Sequence, residues 1–173
     1  MNFLNTIGNM VINMIPVNYH NHTKLCKHAS GEINEYIENA ISQGTVEFGF
    51  SDHAPIPLKI REDLSMDEAD VEIYIESVLN AKEIYSDKID IRLGFEVDFP
   101  LFDSFNKKYF SDTRIDYLIG SVHFIDNWAF DHPKYIHQFE NSDIDNLYKK
   151  YFAISRKYSR KYSFKKYYTV SYF

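Results

Sequence analysis

Four short apolar runs, each followed by residues at helical spacing, constrain this chain more than any other feature. Val17 to His20, Val46 to Asp52, Ile89 to Glu96 and Ile115 to His123 have the length and side-chain types of buried strands. After the first, Ile33, Tyr36, Ile37, Ala40 and Ile41 recur at helical spacing, and Gly44 supplies a left-handed stop. After the second, Ser65 and Glu68 have the spacing of a capping box ahead of a helix that buries Val71, Tyr74, Ile75, Val78 and Leu79. A weaker helical stretch runs through Phe102, Phe105 and Tyr109, and Ile144, Leu147, Tyr148, Tyr151 and Phe152 form a last helical face. Strand and helix in alternation predict an α/β fold of four βα units around a parallel sheet.

Composition narrows the chemistry. The chain has 173 residues and 45% apolar content, enough for one domain with a real core. Its single cysteine, Cys26, excludes a disulfide framework and a cysteine-based zinc cluster and fits a reducing compartment, so a metal site must draw on histidines and carboxylates. The net charge of −6 conceals an asymmetry: residues 148–173 carry +8 with no acidic group, and residues 1–147 carry −14. That balance argues against nucleic acid as the main partner. Residues 1–16 carry no charge, but Asn2, Asn5, Asn9 and Asn13 interrupt them and no basic start precedes them. They are read as an N-terminal extension rather than an export signal or membrane anchor, with Met14 as an alternative start, and the protein as cytoplasmic with no membrane partner. Residues 17–155 then form the folded domain. Residues 156–173, with the near-repeat Arg-Lys-Tyr-Ser, form a basic, tyrosine-rich, low-complexity tail that does not read as a further βα unit.

In βα architectures the side chains that act on substrates gather where strands end. Here every predicted strand ends in ligand types: His20, His22 and then His28; Asp52 and His53; Glu96; and His123. His20 and His22 stand two apart, which on a strand points both imidazoles the same way. Neutral imidazole with carboxylate suits zinc, manganese or iron. His28 joins the set through its place after the His-x-His strand. Among apolar flanks, the charge of Glu96 calls for a partner, for which a cation serves. Asp52 is expected to hold the His53 imidazole from behind. His132 and His137 are read as surface residues away from this rim.

These segments resemble the polymerase and histidinol phosphatase (PHP) superfamily. The residues that carry the likeness are His20-x-His22-Thr23 with His28-Ala29-Ser30-Gly31, then Gly49-Phe50-Ser51-Asp52-His53-Ala54-Pro55, Gly94-Phe95-Glu96-Val97-Asp98, and Asp116 to Phe124. Gly120-Ser121-Val122-His123-Phe124, with Trp128, Phe130 and Asp131-x-Pro133, is similar to the histidinol-phosphatase branch. The likeness implies a distorted seven-stranded, TIM-like barrel holding up to three divalent transition ions (zinc, manganese or iron), of which this chain would supply the N-terminal four βα units. It also implies one ion on His20, His22 and Glu96, a second on Glu96 and His123, and a third on His28 and His53. The substrate implied is a small phosphate monoester, L-histidinol phosphate. Cations supply what its hydrolysis needs, an activated water and positive charge on the phosphoryl oxygens, so no separate protein nucleophile is required.

The His-Pro-Asp and Asp-x-His blocks with which family members complete these sites do not occur in the sequence. The chain is therefore expected to be a truncated member of doubtful activity. Two other readings stand beside the enzyme. One is an inactive remnant of a frameshifted gene, with residues past about 155 translated out of frame. The other is a nucleic-acid-binding module acting through the tail, whose ten aromatics and eight basic groups in residues 148–173 suit stacking and phosphate contact.

Overall fold

The longest strand, β3 (Asp90–Asp98), lies at the centre of the molecule. A computed structural model describes residues 17–56, 63–104, 108–126, 128–161 and 168–170. On one side β3 pairs with β2 (Glu47–Phe50), which pairs with β1 (Val17–Asn18); on the other it pairs with β4 (Tyr117–Ser121), which pairs with β7 (Tyr168–Val170). All four pairings are parallel, in the order β1-β2-β3-β4-β7. An antiparallel hairpin of β5 (Phe124–Ile125) and β6 (Trp128–Ala129) follows β4. The uncharged extension 1–16 lies outside the described residues.

Alternation along β3 divides the molecule. Ile91, Leu93, Phe95 and Val97 point into a core shared with α1 (Ile33–Ser42) and α2 (Val71–Ile84), through Ile37, Ala40, Tyr74, Ile75 and Val78. Helix α1 stops as its sequence dictates. Gly44 takes φ +77°, its N–H donates to the Ile41 carbonyl at 2.9 Å, and the Thr45 N–H donates to the Ala40 carbonyl at 3.0 Å, a Schellman motif. The start of α2 differs from expectation. A 3-10 turn, Glu68–Asp70, precedes it with Asp67 at the cap, while Ser65 is buried and its hydroxyl accepts from the Ile56 N–H at 3.5 Å, so the Ser65/Glu68 capping box does not form.

The other face of β3 carries Gly94, Glu96 and Asp98, with Tyr117, Ile119 and Ser121 of β4 in register. Tyr117 lies across this face and its hydroxyl donates to the Tyr19 carbonyl at 2.6 Å. Two glycines make room for it: an added methyl would meet the Tyr117 ring at 2.6 Å from Gly94 and would collide with its hydroxyl from Gly49. Since neither backbone nor ring can yield, Gly94→Ala should lower stability by about 2–3 kcal/mol, the cost of overpacking a filled interior. Urea unfolding measures it, and a shift below 0.5 kcal/mol would show that Tyr117 leaves this position easily.

Past Ser155 the chain does not dissolve into a tail. Helix α4 (Ile144–Lys161) crosses that point, Ser155 is buried, and Tyr158 stacks on Phe99 with ring centres 5.9 Å apart. With no Gly or Pro between Ser155 and Lys161, nothing in this stretch breaks the helix. Beyond it β7 adds a short fifth strand, so the fourth strand is followed by a helix and a further parallel strand, contrary to expectation. The buried face of α4 is also rotated from the one expected: Tyr151 and Ser155 are covered, with Leu147, Ile154 and Tyr158 beside them, while Ile144, Tyr148 and Phe152 face outward. The expected third helix is broken into a 3-10 segment, Phe99–Ser104, and a short α3, Lys108–Ser111; Phe105 lies outside the described residues.

Candidate metal centre

Local pairing beyond the strand ends builds the site. Strand β2 pauses at Ser51, whose N–H donates to the Asn21 carbonyl at 2.8 Å, and the Asn21 side-chain amide donates to the Gly49 carbonyl at 2.8 Å. Asn21 thereby ties the segment bearing His20 and His22 to the end of β2. These histidines lie past β1 rather than on it, so Asn21, not strand alternation, sets their direction. Pairing of β2 with β3 then resumes: the Glu96 N–H donates to the Asp52 carbonyl at 3.0 Å and the Ala54 N–H to the Glu96 carbonyl at 2.9 Å. That bridge places His53 beside Glu96.

Glu96 is 1% exposed, and four imidazoles surround its carboxylate. The Nε2 atoms of His20, His22 and His53 stand 2.9, 3.2 and 3.5 Å from Oε2, and that of His123 stands 3.3 Å from Oε1. His28 completes the rim, its ring centre 4.9 Å from that of His22 and 5.5 Å from that of His53. Among the described residues four donor sets result, each spanning no more than 4.8 Å between ligand atoms: His20, His22 and Glu96; His53, Glu96 and His123; His22, His28 and His53; and, behind the rim, His22, Cys26 and Asp52.

The outer nitrogens explain what the inner ones are for. His28 Nδ1 donates to the Cys26 carbonyl at 2.8 Å, and His123 Nδ1 donates to Asp98 Oδ1 at 2.8 Å. A neutral imidazole with its proton on Nδ1 presents a lone pair at Nε2. In His123 that lone pair faces a carboxylate oxygen, a repulsive arrangement that a cation or a proton between them relieves. The Nδ1 of His53 is buried with no hydrogen-bond partner among the described residues. Neutral nitrogens with one shared carboxylate fit zinc, manganese or iron.

Asp52 does not hold His53, as expected, but braces the turn that carries His22. Its Oδ1 accepts from the Thr23 N–H at 2.7 Å and its Oδ2 from the Thr23 hydroxyl at 2.5 Å. His132 is buried rather than on the surface: it caps a 3-10 segment, Pro133–Asn141, its Nδ1 accepting from the Lys134 N–H at 3.1 Å, whereas His137 is exposed as expected. Three residues at the site were not singled out from sequence. Asp98, the orienting partner of His123, lies two positions past Glu96 on the same strand face, a signal open to reading. Cys26 and Asp131 become neighbours of the rim only through the fold, Asp131 Oδ2 lying 3.8 Å from His123 Nε2.

Burial and charge set the protonation states. Burial pushes the Glu96 carboxyl up, but the imidazoles of His53, His20, His22 and His123 outweigh it and hold the group well below the usual carboxylate range. Burial drives His53 down to about 3. For His123 burial acts downward too, but Asp98, then Glu96 and Asp131, lift it to about 9. Because His123 is raised by folding, its contribution to metal-free stability is complete below pH 6.5, the ordinary value, and disappears as pH rises through about 9. With a chelator present, stability should fall by about 3 kcal/mol over that window. Zinc should abolish the alkaline loss by taking the proton's place. Urea midpoints across pH 6.5–9.5 test this, and equal slopes with and without zinc would contradict it.

A family model described as PHP domain matches residues 18–166. The chain belongs to the PHP domain family. Among curated relatives it is 35% identical over 136 residues to the Deinococcus radiodurans protein named "Probable histidinol-phosphatase", a match covering 78% of this chain and 52% of that one. It is 34% identical over 115 residues to the histidinol-phosphatase of Bacillus subtilis, covering 61% and 43%. A solved histidinol phosphate phosphatase from Lactococcus lactis, complexed with zinc, L-histidinol and phosphate, has a TM-score of 0.56 and 23% identity, covering 65% of this chain and 42% of that one. That likeness establishes the fold: α/β units curled as part of a TIM-like PHP barrel. The PHP chain spans about half the length of the curated relatives it matches. Among the described residues no helix is long and apolar enough to cross a membrane.

Proposed function

We propose that this PHP chain hydrolyses a phosphate monoester, L-histidinol phosphate, to L-histidinol and phosphate, using divalent transition ions held by His20, His22, His28, His53, Glu96 and His123. The observation that carries the reading is the convergence of four Nε2 atoms on the two oxygens of Glu96. The names of the relatives support the substrate. A lone buried thiol accords with a cytoplasmic setting.

When bound, such ions supply an activated water and positive charge on the phosphoryl oxygens. The chain's own residues do the rest. Glu96 lends its two oxygens to adjacent donor sets and keeps them a short distance apart. Asp98 holds His123 with Nε2 turned inward, and the Cys26 carbonyl does the same for His28. His20, 40% exposed, lies at the open side, where a phosphate group can arrive from solvent. Zinc, manganese and iron all accept this donor set.

A phosphate-release assay on L-histidinol phosphate tests the proposal. Turnover should require added zinc or manganese, disappear with a chelator, and fall at least about tenfold in His20→Ala, the scale of losing one metal ligand or its support. Release that is indifferent to both would place the activity elsewhere.

A further inference from the structure

Helix α4 carries two apolar stripes, and the fold covers one of them. Tyr151 is buried against Phe99 and Val122, with Leu147, Ile154 and Tyr158 beside it. Ile144, Tyr148 and Phe152, four residues apart on the neighbouring stripe, are 43%, 60% and 46% exposed. Tyr148 and Phe152 stack on each other with ring centres 6.4 Å apart, so they present one aromatic surface to solvent. A helix that only closes a core carries polar groups at such positions, and a contiguous apolar ridge marks a surface that meets something. Charge along this helix is divided as well. Asp145 stands in the first turn beside Ile144, whereas Arg156, next along the ridge after Phe152, and Arg160 stand near the other end. All three are exposed and form no ion pair with another described residue.

We propose that the ridge of Ile144, Tyr148 and Phe152 is the contact surface for a second copy of this chain, with two α4 helices packed antiparallel about a twofold axis between Tyr148 and Phe152. A twofold axis brings one patch against itself, so the patch must complement its own reverse. This ridge does. Tyr148 of each copy packs on Phe152 of the other, as ridges of residues four apart interlock between helices. Ile144 lies along the aliphatic stem of Arg156 of the second copy, whose guanidinium reaches Asp145. Parallel pairing would set Asp145 against Asp145 and Arg156 against Arg156. Antiparallel pairing instead forms two opposite-charge pairs and opposes the helix dipoles, so charge selects the orientation as well as the partner. One helix per copy makes a small contact, below about 1,200 Å², which sets the association in the weak range, with Kd on the order of 10–100 µM.

Sedimentation velocity on the native chain, from about 5 to about 500 µM, tests this, and the average mass should rise from one chain toward two across that range. Phe152→Asp, at a position the single chain leaves open, should keep the helical circular dichroism and hold the mass at one chain. Asp145→Arg and Arg156→Asp, each alone, should weaken association about tenfold, because each sets two pairs of like charges together. Combining the two exchanges restores opposite charges across the axis and should return the affinity to within about threefold of native. A chain that stays monomeric over the whole range overturns the proposal. So does a dimer indifferent to Phe152→Asp, or one that the combined exchange fails to restore, since the copies then meet by another surface or in another orientation.

Discussion

Replacing Glu96 with glutamine should lower the affinity of the first zinc ion by about a thousandfold, on the scale of removing one partner from a buried charge cluster. The substitution keeps the shape and removes the charge. In the native chain one buried carboxylate faces four imidazoles, and two of the four donor sets contain it. A neutral amide offers one weakly basic oxygen in place of two anionic ones, so both sets lose their only anionic member. Its NH2 would also point donors at nitrogens that are needed as acceptors. The metal-free variant should be less stable, because Glu96 is among the groups that raise the imidazoles of His20 and His123 and favour their charged forms. Competition titration against a zinc chelator gives the affinity, and circular dichroism shows whether the fold persists. A variant that is folded and binds zinc as tightly as native protein would remove Glu96 from the centre of the site.

Residue chemistry made the rim legible before the sheet was known. Each ligand type follows an apolar run, and parallel strands bring their ends together, so His20, His22, His28, His53, Glu96 and His123 could be named as one group and are neighbours in space. What could not be read depended on contacts between distant segments. Asp52 beside His53 in sequence suggested a pair, yet adjacent residues in extended chain point to opposite sides, and Asp52 turns to Thr23 while His53 turns to Glu96. Asp131 reaches His123 because the β5–β6 hairpin reverses the chain at Asp126, which takes φ 56°. Helix α4 departs from its expected face for a related reason. Periodicity reports that a helix has an apolar stripe but not which stripe is covered, and here Phe99 and Val122 select the Tyr151 side. The segment after Ser155 has no breaker to end the helix, and Tyr158 finds a stacking partner in Phe99.

Turnover of L-histidinol phosphate by the 173-residue chain should be at least about a hundredfold below that of a longer relative such as the Bacillus subtilis enzyme, equivalent to about 2.7 kcal/mol of barrier. The reason lies in how many bonds these residues can make. An imidazole nitrogen binds one ion at a time, so five histidines and the two oxygens of Glu96 provide at most seven bonds. His22 belongs to three donor sets and His53 to two, and each of their nitrogens can serve only one set at once. Three ions sharing seven bonds are under-coordinated, and at least one of the three should be held weakly and exchange with solvent. Phosphate hydrolysis depends on positive charge fixed in place, so an ion that comes and goes contributes to only part of the encounters with substrate. Mass spectrometry under native conditions should therefore find fewer than three tightly held ions per chain, and raising zinc or manganese in the assay should raise turnover without saturating at equimolar metal. Three ions retained through dialysis would mean that further ligands are supplied, by a second copy or by residues outside the described set. Turnover equal to the longer enzyme, lost in His20→Ala, would refute the coordination argument and leave the active-site assignment intact.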